Sequence, residues 1–363
     1  MRQLGELLRY ILLGVNLLVA LFYLVSAFSP YINPLKHSVL ACLGLTFVIF
    51  LVLNLCFFVF WIVFYRRYSL LSLAVLIITF NQIRVYCPVN FRNKEIPQNS
   101  IKLLSYNVMA FDGYKKHTKE KPNPILQYLI DSNADILCLQ EFIVGKNNKQ
   151  LQKRDVDSFL KDYPYRAYHQ IGEGVNGLAC YSKYPIISSR QLEYKSMYNG
   201  SALYEILING DTIAIINNHL ESNKLTYEDK ATYVDMIKNP EKDKVSSGVR
   251  LLVKKLAEAY RLRAQQADFI SGFVSHLPDR TKIICGDFND IPISYTYRVI
   301  SNGLDDAFVQ SGRGLGISYN QNGFYFRIDH ILISKDLKSF NCTVDRSIKT
   351  SDHYPVWCYI SKR

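Results

Sequence analysis

The chain has 363 residues, with 43 Lys and Arg against 31 Asp and Glu. Six of the basic residues and one acidic residue, Glu6, lie in residues 1–87, so residues 88–363 carry 37 basic and 30 acidic groups. A surplus that small excludes a nucleic-acid partner demanded by charge alone, although it suits an anionic substrate or a membrane surface.

Taken in order, the chain first shows three apolar segments, about 7–28, 39–64 and 69–86. The first two reach the roughly 20 residues that cross a bilayer core. The third is short and ends in Asn81-Gln82-Ile83-Arg84, which fits a tilted span, an interfacial helix or a re-entrant piece. A cleavable signal peptide fits poorly, because a small-residue cleavage site at Ala27 or Ser29 would be followed by Pro30 and two apolar segments would remain. Arg2, Arg9 and the pair Arg66-Arg67 place the N-terminus and the second short loop inside. Three spans then deliver the rest of the chain to the outer side; two would leave it facing the cytoplasm. The expected division is a membrane anchor over 1–86 with two to three transmembrane helices, a linker over 87–99 marked by Pro88 and Pro97, and a folded domain over 100–363.

Within that domain short strand patterns recur at 101–106, 135–140, 177–181, 202–208, 212–217, 282–285, 327–333 and 356–360. Helical patterns occupy 124–133, opened by a proline, and 247–273, where Val249, Leu252, Val253, Leu256 and Tyr260 repeat at helical spacing. Strands and helices without regular βα alternation predict an α+β fold of two packed sheets covered by helices. Residues 225–246, rich in Lys, Asp and Glu, are expected to form a solvated loop or a lid beside a site. The eight cysteines contain no Cys-x-x-Cys pair, so a zinc site is unsupported; Cys138, Cys180, Cys285 and Cys358 interrupt apolar runs as small buried hydrophobes.

Chemistry is concentrated at strand ends. Glu141 closes the apolar run 135–140, where a carboxylate is costly unless paired or metal-bound. Asn107 closes 101–106 and offers an amide oxygen. In Gly286-Asp287-Phe288-Asn289, Asp287 and Asn289 project to one side because the strand period is two; one suits activating a water and the other donating to a phosphate oxygen. Ser351-Asp352-His353 and Arg327-Ile328-Asp329 each precede a strand, and a carboxylate near His353 would fix its tautomer and favour the imidazolium. His219, after Asn217-Asn218, adds a second imidazole. Singly, each word has an ordinary structural explanation as a turn former or a solvated polar residue.

Six such words in order, Ser-Tyr-Asn-Val, Leu-Gln-Glu, Asn-x-His-Leu, Gly-Asp-Phe-Asn, Arg-Ile-Asp and Ser-Asp-His, make residues 101–360 resemble the endonuclease/exonuclease/phosphatase superfamily in a deoxyribonuclease-like or sphingomyelinase-like, membrane-anchored bacterial form. That resemblance implies a four-layered α/β sandwich and in-line hydrolysis of a phosphate ester. It implies Mg²⁺, or alternatively Mn²⁺, held by Glu141 and Asn107 with Asp352 nearby. Asp287 would activate the water, Asn289 would hold the phosphate, His353 oriented by Asp329 would bind the scissile phosphate, and His219 would stabilise the transition state or assist the leaving group. His330 stands where many relatives carry tyrosine and is assigned packing only. The substrates left open are nucleic acid, phospholipid and small phosphoesters. A nuclease would draw on the basic residues of 224–263 and on Tyr295 and Tyr297 for its groove. An inactive, membrane-anchored binding module is the non-enzymatic alternative. The expected partners are the substrate and the bilayer, with no obligate protein partner, and the expected location is a bacterial inner membrane with the domain on the periplasmic side.

Overall fold

The apolar N-terminal sequence builds a helical bundle. In the computed structural model, which describes residues 2–118, 120–145, 147, 149–172, 176–194, 196, 198–239, 242–277, 280–321 and 323–363, its helices are α1 (Arg2–Phe28), α2 (Pro34–Ala41), α3 (Phe47–Phe64), α4 (Ser69–Ile78) and α5 (Phe80–Tyr86). Two helical stretches, Gln3–Tyr31 and Pro34–Phe64, are long and apolar enough to cross a membrane, and α4 with α5 makes a pair bent by 61°. The second stretch is not one straight rod: α2 lies along a helix of the folded domain, with Cys42 against Ala257 and Tyr260, and only α3 runs on through the bundle. A buried polar knot sets the register of α1, α3 and α4. Trp61 Nε1 donates to Asn16 Oδ1 (2.9 Å), Asn16 Nδ2 to Ser72 Oγ (3.2 Å) and Asn54 Nδ2 to the Ser72 carbonyl (3.2 Å). Hydrogen bonds of this kind fix helix pairing where apolar contacts alone do not discriminate. At one end Arg9 stacks over Tyr65, just before Arg66-Arg67. At the other, Thr79 Oγ1 donates to Tyr23 Oη (2.8 Å) and Phe47 meets Tyr86 at 5.3 Å. The third apolar segment therefore runs the length of the bundle, from the Arg66-Arg67 end to the folded domain.

The folded domain contains β1 (Ile101–Asn107), β2 (Ile136–Gln140), β3 (Tyr165–Ile171), β4 (Asn176–Ser182), β5 (Ile186–Leu192), β6 (Gly200–Ile208), β7 (Asp211–His219), β8 (Lys282–Asp287), β9 (Asp305–Asp306), β10 (Tyr319–Gln321), β11 (Phe324–Phe326), β12 (Asp329–Ile333), β13 (Leu337–Val344) and β14 (Val356–Lys362). Twelve of these form two six-stranded mixed sheets, ordered β13-β14-β1-β2-β4-β3 and β5-β6-β7-β8-β12-β9; β10 and β11 form a separate hairpin. Alternation along each strand sorts its side chains between two cores. Inward-facing Leu103, Cys138, Cys180, Tyr204, Ile215, Ile283, Ile331 and Cys358 fill the space between the sheets. Outward-facing Leu104, Tyr106, Leu137 and Leu139 pack under α6 (Pro124–Asp131) and α7 (Lys153–Phe159). After α8 (Tyr227–Lys238), the long α9 (Lys242–His276) and short α10 (Tyr295–Ile300) cover Ala214, Ile216, Ile284 and Leu332 of the second sheet. The result is helix, sheet, sheet, helix, the four-layered sandwich the motifs implied. Every cysteine described is free, and those in the strands are buried.

Two segments differ from the sequence expectation. Residues 225–246 are largely helical rather than a loop, apart from residues 240–241, which lie outside the described residues. The signal was a capping box, in which Thr226 Oγ1 accepts from the Asp229 N–H (3.3 Å) and Asp229 Oδ2 accepts from the Thr226 N–H (2.7 Å). The linker after Tyr86 is irregular but not free. Gly314 N–H donates to the Pro88 carbonyl, Asn90 Nδ2 donates to the carbonyls of Val309 and Gly312, and Asn93 exchanges backbone bonds with the Asn341 side chain. It straps the bundle to the edge of the first sheet.

The bundle also packs directly on the domain. Ile291, Ile293 and Ile328 join Tyr23, Phe47 and Val75 in one buried cluster, with Tyr319 and Phe326 at its margin. Gly44 sits so close to the Ile293 carbonyl that a β-carbon would lie 2.2 Å from its oxygen. Arg298 Nε donates to the Pro30 carbonyl (2.8 Å), and Arg327 donates to that of Val85.

Candidate active site

The inward columns of the sheets end in polar residues, and that is how the site is made. Along β8 the column is Ile283, Cys285, Asp287; along β7, Ile215, Asn217, His219; along β1, Leu103, Ser105, Asn107; along β2, Ile136, Cys138, Gln140. Antiparallel β12 begins with Asp329 before Ile331. Register brings the ends together, since Asp287 is paired with both His219 and Asp329, and Asn107 with Gln140. The backbone at the rim is strained where it must turn: Glu141 (φ 49°) and Asn289 (φ 52°) are left-handed. Met109–Tyr114, directly after β1, forms a turn whose residues all have positive φ, at about 1–2 kcal/mol per non-glycine residue. Phe111, buried against Phe142 at 5.3 Å, anchors it.

Two imidazoles take opposite states. His353 Nδ1 donates to Asp329 Oδ2 (2.8 Å), and its Nε2 lies 3.5 Å from Asp287 Oδ2. Burial alone would lower its pKa, but Asp329 and Asp287 raise it well above the ordinary value, so it is an imidazolium at neutral pH. His219 is lowered by burial against the opposing pull of Asp287 and is neutral. Asn176 Oδ1 accepts from the Gly177 N–H (2.7 Å), which turns its Nδ2 toward His219 Nδ1 (3.1 Å). Nδ1 is thereby the acceptor, and the proton sits on Nε2, 3.7 Å from both Glu141 and Asp287.

The carboxylates are correspondingly perturbed. Burial raises Asp287 to about 6, partly offset by the charge of His353. Glu141 is raised by burial, held back by its hydrogen bond from Asn107. Asn107 Nδ2 stands between the two, 3.1 Å from Glu141 Oε1 and 3.2 Å from Asp287 Oδ2, while its Oδ1 accepts from the Met109 N–H (3.1 Å). A donor held between buried Asp287 and half-buried Glu141 marks a position suited to positive charge. Four carboxylates, Glu141, Asp287, Asp329 and half-buried Asp352, converge on one imidazolium, a hard-oxygen set that fits a divalent cation of the Mg²⁺ or Mn²⁺ class. Asp287, Asp329 and His353 also offer ligand atoms within 4.8 Å of one another. There, however, Asp329 is engaged by His353, whose positive charge opposes a cation, so the Glu141 side fits better.

Residues 104–353 match the Endonuclease/Exonuclease/phosphatase family, more than half of the chain. The chain belongs to that family. Residues 9–86 match a separate domain of unknown function, DUF8431. Among curated proteins the family member resembles the CCR4-Not complex 3'-5'-exoribonuclease subunit Ccr4 of Mycosarcoma maydis, 25% identical over 305 residues, 68% of this chain and 44% of that protein. The chain thus spans less than half the length of that relative. Among solved structures it is similar to the human Nocturnin catalytic domain with bound sulfate (TM-score 0.52, 17% identity, 76% of this chain and 96% of that one). It is also similar to D. rerio TDP2 with a single-strand DNA product (0.50, 16%, 73% and 100%). A family protein from Beutenbergia cavernae gives 0.50 at 12% identity over 73% and 72% of the two chains. At such identities the structures speak for the fold alone.

The structure brings Asn107, Glu141, His219, Asp287, Asp329 and His353 together, with Asp352 at the rim and Asn289 at the edge. Asn289 differs from its expected role: its Nδ2 donates to the Leu220 carbonyl (2.9 Å) and its N–H to Asp287 Oδ1 (2.8 Å), so it ties loops together and orients Asp287. His330 faces outward between Phe288 and Tyr297, each 5.0 Å away, as its packing assignment required. Tyr295 and Tyr297 do not line the catalytic cluster; Tyr297 borders a separate cavity beside Pro30 and Arg84. Both tyrosines are buried and donate to Asp268 and Asp306, because α10 turns them toward the helix layer. The basic residues expected beside them are partly committed as well: Lys224 pairs with Glu221, Lys255 with Asp229 and buried Arg263 with Asp290. Sequence reasoning missed Asn176, Gln140 and Tyr319. Gln140 Nε2 donates to Ser105 Oγ and Asn217 Oδ1 beneath the site, and the Tyr319 ring stands edge-on to His353 at 5.1 Å. The inward column of β2 was the available signal for Gln140; Asn176 and Tyr319 depend on long-range pairing.

Proposed function

We propose that the protein is a divalent-metal-dependent phosphoester hydrolase whose site is held at a membrane surface. The observation that carries this reading is the pairing of a raised Asp287 carboxylate with a protonated, Asp329-bound His353 in one buried cluster. Glu141, with Asp352 nearby, would hold Mg²⁺ or Mn²⁺, joined by Asn107 once its amide turns to present Oδ1 in place of the Nδ2 that now faces the carboxylates; the cation when bound supplies charge stabilisation of the phosphoryl oxygens. Asp287, with a pKa near neutrality, takes the proton of the attacking water. His353 neutralises a phosphoryl oxygen, and the Nε2–H of His219 donates to the developing charge or the leaving oxygen.

Nearness to the bundle supports the membrane setting. Asp287 is only four residues from Ile291, and Tyr319 touches both His353 and the bundle cluster. That favours phosphoesters presented at a bilayer. A second reading, hydrolysis of RNA, is favoured by the Ccr4 likeness, whereas the burial of Tyr295 and Tyr297 removes the expected base-stacking platform of a nuclease. The run of α4 and α5 from the Arg66-Arg67 end to the domain supports three crossings and a domain outside the cytoplasm, in the periplasm of a bacterial cell.

The test is turnover by the full chain in neutral detergent with Mg²⁺, Mn²⁺ or chelator, on a bis-aryl phosphodiester, plasmid DNA, RNA, sphingomyelin and phosphoinositides. Metal-dependent hydrolysis of at least one is expected, and Glu141→Ala and His353→Ala should each reduce it by at least about a hundredfold. Inactivity across the panel, or activity indifferent to both substitutions, refutes the hydrolase reading and favours a binding module. A C-terminal reporter active only outside the cytoplasm is the expected result for sidedness; cytoplasmic activity leaves two crossings.

A further inference from the structure

The strap that follows the bundle creates a basic surface away from the catalytic cluster. Between it and β13 lies an open cleft of about 600 Å³, lined by Arg92, Arg313 and Arg346 together with Asn90, Asn341 and Thr343 and by no aspartate or glutamate. All three arginines are exposed, and among the described residues none is ion-paired. Asp345, next to Arg346 in sequence, accepts from Tyr128 and Trp357 instead. Val89 and Phe91 alternate with the cleft-lining Asn90 and Arg92 and are 73% and 85% exposed, and neighbouring Leu315 is 42% exposed. The strap begins where α5 ends at Tyr86, so these side chains lie three and five residues beyond the last apolar helix.

Exposed large apolar groups are ordinarily a liability in water, and clustered unpaired arginines repel one another. A phospholipid surface resolves both at once, since phosphates neutralise the guanidinium groups and the apolar side chains enter the acyl boundary. We propose that this cleft binds the phosphate headgroup of an anionic membrane lipid, with Val89 and Phe91 seated in the adjoining bilayer. The contact fixes the height of the catalytic domain above the membrane. It rests on the reading of α1, α3 and α4–α5 as membrane spans, and not on the hydrolase reading.

The experiment measures retention of labelled phosphatidylglycerol by the full chain in neutral detergent, with chelator present to prevent turnover. Wild type is expected to bind it well above phosphatidylcholine. The combined variant Arg92→Gln/Arg313→Gln/Arg346→Gln should bind about a hundredfold more weakly, roughly fivefold per arginine. Lys161→Gln/Arg190→Gln/Lys338→Gln, which removes the same charge elsewhere, should bind like wild type. Circular dichroism melting and hydrolysis of a soluble phosphodiester show that the cleft variant is folded, and loss of hydrolysis in wild type would count against the hydrolase reading only. Equal binding of the two lipids, equal losses in both triple variants, or displacement by glycerol phosphate at the same concentration as the lipid would overturn the proposal.

Discussion

At the scale of single residues, the site depends on keeping two histidines in opposite protonation states within one cluster. For His353 the carboxylates of Asp329 and Asp287 overcome the effect of burial; for His219 burial keeps the ring neutral, and Asn176 sets its tautomer by donating to Nδ1. In the proposed mechanism Asp287 acts ionised and His353 protonated, so kcat/KM should rise as pH increases through about 6 and fall again above neutrality. Asp329→Asn removes the largest influence that raises His353, leaving Asp287 and Asp352 to oppose burial. Its alkaline limb should therefore move to lower pH while kcat drops by roughly 10²–10⁴-fold, as measured in a pH–rate profile. An unchanged alkaline limb would show that His353 is not the group titrating there.

At the scale of elements, inward-facing strand ends aim the chemistry, and glycine allows one of them to close on its neighbour. Gly286 has φ 123°, and a β-carbon there would lie 2.1 Å from the Asn218 carbonyl oxygen of β7. Gly286→Ala should destabilise the domain by roughly 1–3 kcal/mol and displace Asp287 from His219 and Asp329, seen as a lower Tm together with reduced kcat. Full activity at wild-type Tm would mean that the β7–β8 spacing is looser than described. The positive-φ turn at Met109–Tyr114 is the opposite case: five non-glycine residues hold an unfavourable backbone because Phe111 is buried and Asn123 Nδ2 donates to the Phe111 carbonyl (2.8 Å).

At the scale of the whole molecule, the bundle is part of the wall that supports the catalytic loops. Ile291, Ile293 and Ile328 flank Asp287 and Asp329 in sequence, and covering each apolar side chain contributes roughly 1.5–3 kcal/mol. Gly44→Val would force the bundle away from the Ile293 carbonyl. Its kcat on a soluble phosphodiester should fall several-fold while the bundle still inserts, as measured by turnover beside membrane fractionation. Undiminished kcat would show that the catalytic loops hold their geometry without the bundle.

The sequence by itself determined the apolar N-terminal helices, the packed sheets and nearly all of the residues that gather in the polar cluster, because each is written locally. Period-two apolar runs specify strands, uninterrupted apolar runs specify membrane helices, and a carboxylate or imidazole at the end of a buried run is conspicuous wherever it occurs. The helix over 227–238 was legible too, in its Thr226–Asp229 capping box, but the surrounding charge obscured it. What only the tertiary structure decided is held by pairs distant in sequence. Asn176 sets the tautomer of His219 across 43 residues, Asn107 reaches Asp287 across 180, and Gly44 meets Ile293 across the seam between bundle and domain. The burial of Tyr295 and Tyr297 belongs with these, since helical spacing gives a side chain its face but not what covers that face. A linear pattern carries the period of an element; strand register and helix docking, which bring its faces against others, arise only when the chain closes on itself.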